Sequence, residues 1–110
     1  MLMVIIETSI FTKQIATILN DEAYREFQNV LIAMPDAGEI IQGSGGIRKI
    51  RCSASGRGKR GGARVIYYWA NNQNQIFMLF AYAKNEHDNL TKDQLSVLRQ
   101  IVISEFKCER

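Results

Sequence analysis

The apolar positions divide the chain into a helical first third and a sheet-forming middle. A continuous, β-branched run at Leu2–Ile6 predicts a short strand that is buried on both faces. Helical spacing follows and predicts two helices, with the apolar stripes Ile10, Phe11, Ile15, Ile18 and Leu19, then Tyr24, Phe27, Leu31 and Met34. Asn20 or Asp21 can cap the second helix, and Pro35 and Gly38 belong to the turn that ends it.

After residue 43 the pattern changes to short apolar strands that are separated by glycine-rich or polar turns. Three strands are predicted, over Ile47–Cys52, Ala63–Ala70 and Ile76–Lys84, and residues 71–74 join the last two as a hairpin. Thr91 and Gln94 fit a capping box that opens a C-terminal helix. The order β-α-α-β-β-β-α predicts an α+β domain with a small, mostly antiparallel sheet and helices packed on one face.

Length and composition predict a single cytoplasmic domain over residues 1–110. An apolar fraction of 46% excludes a disordered tail protein. No run approaches the roughly 20 apolar residues of a membrane span, so no membrane partner is expected. Cys52 and Cys108 lack metal-ligand spacing and His87 is the one histidine, so neither a metal nor another cofactor is predicted.

Lysines and arginines are concentrated in the sheet-forming part. Residues 40–85 hold eight of the fourteen and no acidic residue, which sums to +8, while the rest (six basic, eleven acidic) sums to −5. Such a concentration of positive charge is typical of a surface that binds a polyanion, because each phosphate that the protein neutralises releases counterions. A solvated basic face is the alternative. We favour a phosphate-bearing partner because the charges cluster around glycines inside an apolar strand pattern.

The glycine-rich loop between the first two of these strands is the most basic segment. Its glycines formally match the dinucleotide fingerprint GxGxxG, but that motif must open a helix and here a strand follows, so we reject it. Arg57, Lys59 and Arg60 are instead candidate RNA or ribosome contacts, since glycines let the backbone approach a phosphate chain closely. The alternative is a hairpin tip with incidental charge.

Four cations from three strands are predicted to converge at one sheet edge: Lys49, Arg51, Arg64 and Lys84. Period-two alternation places Lys49 and Arg51 on one face and Arg48, a further candidate RNA contact, on the other. Guanidinium and ammonium groups in this arrangement suit a scissile phosphate. His87 is a candidate acid or base, and Tyr68 and Tyr82 are candidates to stack a splayed RNA base.

These residues resemble a known family. Gly45 to Arg51 (GGIRKIR), the basic loop, Gly62 to Tyr68 (GARVIYY) and Ala83 to Glu86 (AKNE) are similar to the RelE/HigB toxins of bacterial type II toxin–antitoxin systems, closest to the HigB branch. The resemblance spans essentially the whole chain. It implies a RelE-like fold, endoribonuclease activity on mRNA in the ribosomal A site by metal-independent 2′-OH attack, and a DNA-binding, HigA-like cognate antitoxin as partner.

The resemblance also implies roles for individual residues. Lys49 and Arg51 would act at the phosphate and leaving group, Arg64 on transition-state charge, and Lys84 in substrate contact or proton transfer. The tyrosine that some members place after the last strand is absent, because Asn89-Leu90-Thr91 occupies that stretch. His87 or the cations alone are the alternatives for moving protons. Two other functions stay open: a ParE-like toxin that inhibits gyrase, and a non-catalytic RNA-binding module.

Overall fold

The computed structural model describes residues 3–52, 62–83 and 90–107. The elements in chain order are β1 (Val4–Glu7), α1 (Ser9–Ile18), α2 (Asp21–Ala33), β2 (Glu39–Ile40), β3 (Ile47–Cys52), β4 (Ala63–Ala70), β5 (Gln75–Ala83) and α3 (Lys92–Val102). A single 3₁₀ turn separates β4 from β5, and a π-helical turn continues α3. The predicted α+β class is confirmed, and β2 is an additional two-residue strand.

Side-chain caps explain where the helices begin. The Asn20 carboxamide accepts from the Ala23 N–H at 2.8 Å and starts α2. Thr91 and Gln94 form the predicted capping box at the start of α3. Thr8 caps α1 in the same way. No helix in the described ranges is long and apolar enough to cross a bilayer.

The strands form one five-stranded sheet in the order β1-β5-β4-β3-β2. β1 runs parallel to β5, and the other neighbours are antiparallel. The hairpin of β4 and β5 turns through Asn74, which adopts the left-handed conformation at φ 55°. Beside it, β3 pairs along its full length with β4, so these two strands set the register of the cations.

Two apolar layers cover the sheet, one on each face. The layer under α1 and α2 includes Phe11, Ile15, Phe27, Leu31, Val65, Tyr67 and Met78. The layer under α3 includes Ile47, Ile66, Phe77, Leu79, Leu98 and Val102. The prediction that all helices pack on one face was therefore wrong for α3. Both faces of the central strands are apolar, and a single helical layer would leave fully buried residues such as Ile47 and Leu79 in water.

β1 lies at the sheet edge, yet its apolar residues reach both layers. Ile5 packs against the α1/α2 layer and Ile6 against the α3 layer, each half-buried. The prediction of a strand buried on both faces was wrong, because β1 is an edge strand: Ile5 and Ile6 are only half-buried and Val4 at the open edge is 49% exposed.

Candidate active site

Strand register gathers charged side chains on the sheet face that α3 partly covers. Directly opposite residues of paired strands point to the same face, with Cβ atoms about 4.5–5.5 Å apart. One row across the sheet is Glu39, Lys49, Ile66 and Phe80 on β2 to β5, and the next row is Arg51, Arg64 and Tyr82 on β3 to β5. The face prediction for Lys49 and Arg51 is thus confirmed, since Ile47, two residues before Lys49, is buried under α3.

An open cavity of about 270 Å³ lies over these two rows. Its lining residues are Ala37, Glu39, Lys49, Ile50, Arg51 and Arg64. The described part of the chain thus brings three of the four predicted catalytic cations into one space. The cavity has room for a phosphate group and part of the molecule attached to it, because a water molecule takes only about 30 Å³.

Arg51 and Arg64 lie directly opposite each other on β3 and β4. Like charges at such positions destabilise a sheet. Arg51 is exposed and Arg64 is half-buried, and the Nε of Arg64 is buried without a hydrogen-bond partner among the described residues. An unsatisfied buried donor costs about 1–3 kcal/mol. An anion that bridges the two guanidinium groups would remove the repulsion.

We therefore expect phosphate-type anions to stabilise the protein. Inorganic pyrophosphate at a hundredfold excess over its Kd should raise the free energy of unfolding by about 2.7 kcal/mol. Sodium chloride at equal ionic strength should raise the free energy of unfolding by less. In Arg51→Ala the two salts should stabilise the protein equally. Arg25→Ala, which removes an exposed arginine of α2, is the matched control. Melting temperature measured against anion concentration tests this, and an equal response of Arg51→Ala and wild type would contradict it.

The loop before β2 is held by a pair of side chains from the opposite face. Arg48 and Tyr67 lie opposite each other on β3 and β4. The Tyr67 hydroxyl accepts from the Gly38 N–H at 2.9 Å and donates to the Pro35 carbonyl at 2.7 Å. Arg48 donates to the carbonyls of Gly38 at 2.7 Å and Asp36 at 3.3 Å. These bonds fix the loop that leads into β2 and hence into the cavity.

Burial raises the pKa of the Tyr67 hydroxyl, while its hydrogen bond from the Gly38 N–H and the nearby Arg48 charge act in the opposite sense. The phenol therefore stays protonated and keeps its bond to the Pro35 carbonyl. Arg48, predicted as an RNA contact, is not gathered with the cavity cations, and its guanidinium contacts the Asp36–Gly38 backbone.

The candidate tyrosines differ in their surroundings. Tyr82 is opposite Arg64 but only 5% exposed, and its ring lies 6.2 Å from that of Phe80. Tyr68 is half-buried and packs against the α3 layer. It is four residues from Arg64 along β4, or roughly 13 Å. The structure brings Tyr82 beside the cation rows and leaves Tyr68 away from them.

Five predicted site residues lie outside the described residues: Arg57, Lys59, Arg60, Lys84 and His87. Cys52 is buried, which raises the pKa of its thiol to about 11 and makes it a poor nucleophile. Among the described residues, no three histidine, cysteine or acidic side chains form a metal-ligating group.

Sequence reasoning missed Glu39. It immediately precedes the acid-free stretch 40–85 and lines the cavity. Its position follows from pairing with Lys49 through β2. A two-residue strand has no periodicity, so the one available signal was that Glu39 is the last acidic residue before the cations.

The fold and the cavity define a small basic α+β protein whose cavity is lined by three cations. The model of the family described as the RelE toxin of the RelE/RelB toxin–antitoxin system matches residues 9–109. Because this match covers most of the chain, the protein belongs to the RelE toxin family. It is the toxin of a toxin–antitoxin system, of a class that generally inhibits translation, and it pairs with an antitoxin. The resemblance inferred from sequence is confirmed at the level of this family.

Proposed function

We propose that the protein is a ribosome-dependent endoribonuclease that cuts mRNA in the ribosomal A site and so inhibits translation. The observation that supports this most directly is the shared cavity of Lys49, Arg51 and Arg64. In the reaction, a ribose 2′ oxygen attacks the adjacent phosphorus, the bond from phosphorus to the 5′ oxygen breaks, and the 2′ proton is lost while the 5′ oxygen gains one.

The cations are proposed to have different roles in the reaction according to their positions in the sheet. Arg64 has a buried Nε and lies in the middle of the second row, so it faces the non-bridging oxygens, where charge grows in the transition state. Arg51 and Lys49 hold the phosphate and the leaving oxygen from the neighbouring strand. Lys84 and His87 are proposed to complete the site, and the partner is proposed to be a HigA-like, DNA-binding antitoxin.

Purified protein added to translating ribosomes tests the function. We expect cleavage of the message in the A-site codon with ribosomes and little cleavage of naked RNA. Gyrase inhibition without RNA cleavage would instead indicate a ParE-like toxin. Binding to ribosomes with no cleavage would indicate a non-catalytic RNA-binding module.

The basic loop is expected to dock the protein rather than to take part in chemistry. Alanine at Arg57, Lys59 and Arg60 together should weaken ribosome binding and lower the slope of log K against log salt by about 2–3, since each phosphate contact contributes about 0.7–0.9. Single-turnover cleavage at saturation should stay near wild type. The control is a triple alanine variant of the exposed residues Lys13, Arg25 and Lys92, which removes the same charge. A large fall in the saturated rate of the loop variant would contradict this separation of roles.

A further inference from the structure

One carboxylate lies among the cavity cations. Glu39 lines the cavity together with Lys49, Arg51 and Arg64, and among the described residues of that lining it is the one acidic residue. The stretch that follows Glu39, residues 40–85, contains no carboxylate side chain. A cavity that only bound RNA would gain affinity from neutral or cationic residues at this position, because a carboxylate repels phosphate.

The register places Glu39 within reach of a bound phosphodiester. It pairs directly with Lys49 and is therefore diagonal to Arg51 two residues on. Direct neighbours have Cβ atoms about 5 Å apart and diagonal neighbours about 7–8 Å. A phosphate held by Lys49 and Arg51 thus has the Glu39 carboxylate on its β2 side.

The backbone of Glu39 is held in place on both sides. Gly38, the preceding residue, is bonded through its N–H to Tyr67 and through its carbonyl to Arg48. Glu39 itself begins the β2 ladder with β3. Its side chain is nevertheless exposed. A fixed backbone with an open carboxylate is suited to accept a proton from a substrate.

Building on the proposed function, we propose that Glu39 is the general base of the cleavage reaction. Its carboxylate takes the proton of the attacking 2′-OH as the bond from the 2′ oxygen to phosphorus forms. The bond from phosphorus to the 5′ oxygen breaks, and this leaving oxygen takes a proton from solvent. Lys49, Arg51 and Arg64 stabilise the negative charge on the phosphate oxygens throughout. The base is thus a residue before the basic segment rather than one after the last strand.

The test compares Glu39→Gln with wild type and with Glu105→Gln, an exposed glutamate of the turn after α3. We expect single-turnover cleavage on ribosomes to fall by about a hundredfold or more in Glu39→Gln. Ribosome binding, and binding of message carrying a 2′-deoxy sugar at the scissile position, should be unchanged or tighter. The rate of wild type should rise with pH along an acidic limb of slope one, and Glu39→Gln should lack that limb. Glu39→Asp should keep the limb at a reduced rate.

Each result has a defined meaning. If wild type cleaves and Glu39→Gln cleaves equally well with the acidic limb intact, the assignment of Glu39 is overturned while the proposed function stands. A fall in rate that is accompanied by an equal fall in melting temperature and an unchanged pH profile also overturns it, because Glu39 would then be structural. If wild type itself cleaves no ribosome-bound message, both the proposed function and the base are overturned.

Discussion

Replacement of Arg64 by alanine is expected to lower the cleavage rate by about a hundredfold or more, since loss of one transition-state contact costs about 3 kcal/mol. The phosphoryl-transfer transition state has more negative charge on its non-bridging oxygens than the ground state. A guanidinium already in place therefore favours the transition state selectively. The Nε of Arg64, which is buried without a hydrogen-bond partner among the described residues, is available to a bound phosphate.

The stability of the folded protein should change little in the same variant. Arg64 lies opposite Arg51, so alanine removes a repulsion and a buried donor that has no partner among the described residues, along with the packing of the side-chain stem. We expect the free energy of unfolding to stay within about 1 kcal/mol of wild type. Arg64→Lys should recover little activity, because an ammonium cannot make a bidentate contact.

Melting temperature and single-turnover cleavage are measured on the same preparations, with Arg25→Ala of α2 as a matched exposed control. Near wild-type cleavage by Arg64→Ala would refute the role of Arg64, and so would a loss of activity explained by unfolding. Antitoxin binding by the variant adds a second check that the fold is intact.

The sequence predicted the central strands and the helix caps well, because the signals there are local. β3 and β4 have the predicted bounds, and β5 is shifted by one residue at each end. β4 is rich in β-branched and aromatic residues, which suit a half-buried pleated surface. The α3 start was predictable because a capping box needs only two residues three positions apart.

The side of the sheet on which α3 packs was predicted wrongly, although the sequence contained a sign of it. Leu2–Ile6 is apolar without alternation, and a strand with two apolar faces requires a covering layer on each. Ile5 and Ile6 meet those two layers. Period-two alternation in β3 could not reveal this, since Lys49 and Arg51 interrupt the face that Ile47 shares with α3.

Within the candidate site, the shared face of Lys49, Arg51 and Arg64 followed from alternation along β3 and the pairing of β3 with β4. Glu39 could not be predicted in this way, because its neighbour is ten residues away along the chain and is joined to it by a two-residue strand. The support from Tyr67 and Arg48 was equally hidden, since it depends on tertiary hydrogen bonds to a loop.

The hydrogen bonds with Tyr67 and Arg48 hold the loop of residues 35–38, and Gly38 in this loop has no room for a side chain. A Cβ on Gly38 would lie 2.8 Å from the Lys49 carbonyl oxygen and 2.9 Å from two atoms of Tyr67. Tyr67 is fully buried and cannot turn away, and the carbonyl belongs to the β3 backbone. The clash therefore cannot be relieved without separating β2 from β3.

Gly38→Ala is accordingly expected to destabilise the protein by about 3 kcal/mol or more, the sum of overpacking and a lost buried hydrogen bond. For a chain of this size that corresponds to a fall in melting temperature of more than about 10 °C. Gly43→Ala is the control, because it meets no atom within 4 Å and costs only the strain of its positive φ of 75°, about 1–2 kcal/mol. Thermal unfolding of both variants separates steric from conformational cost. Equal losses in the two would show that the Gly38 contact with Tyr67 and β3 does not hold the loop.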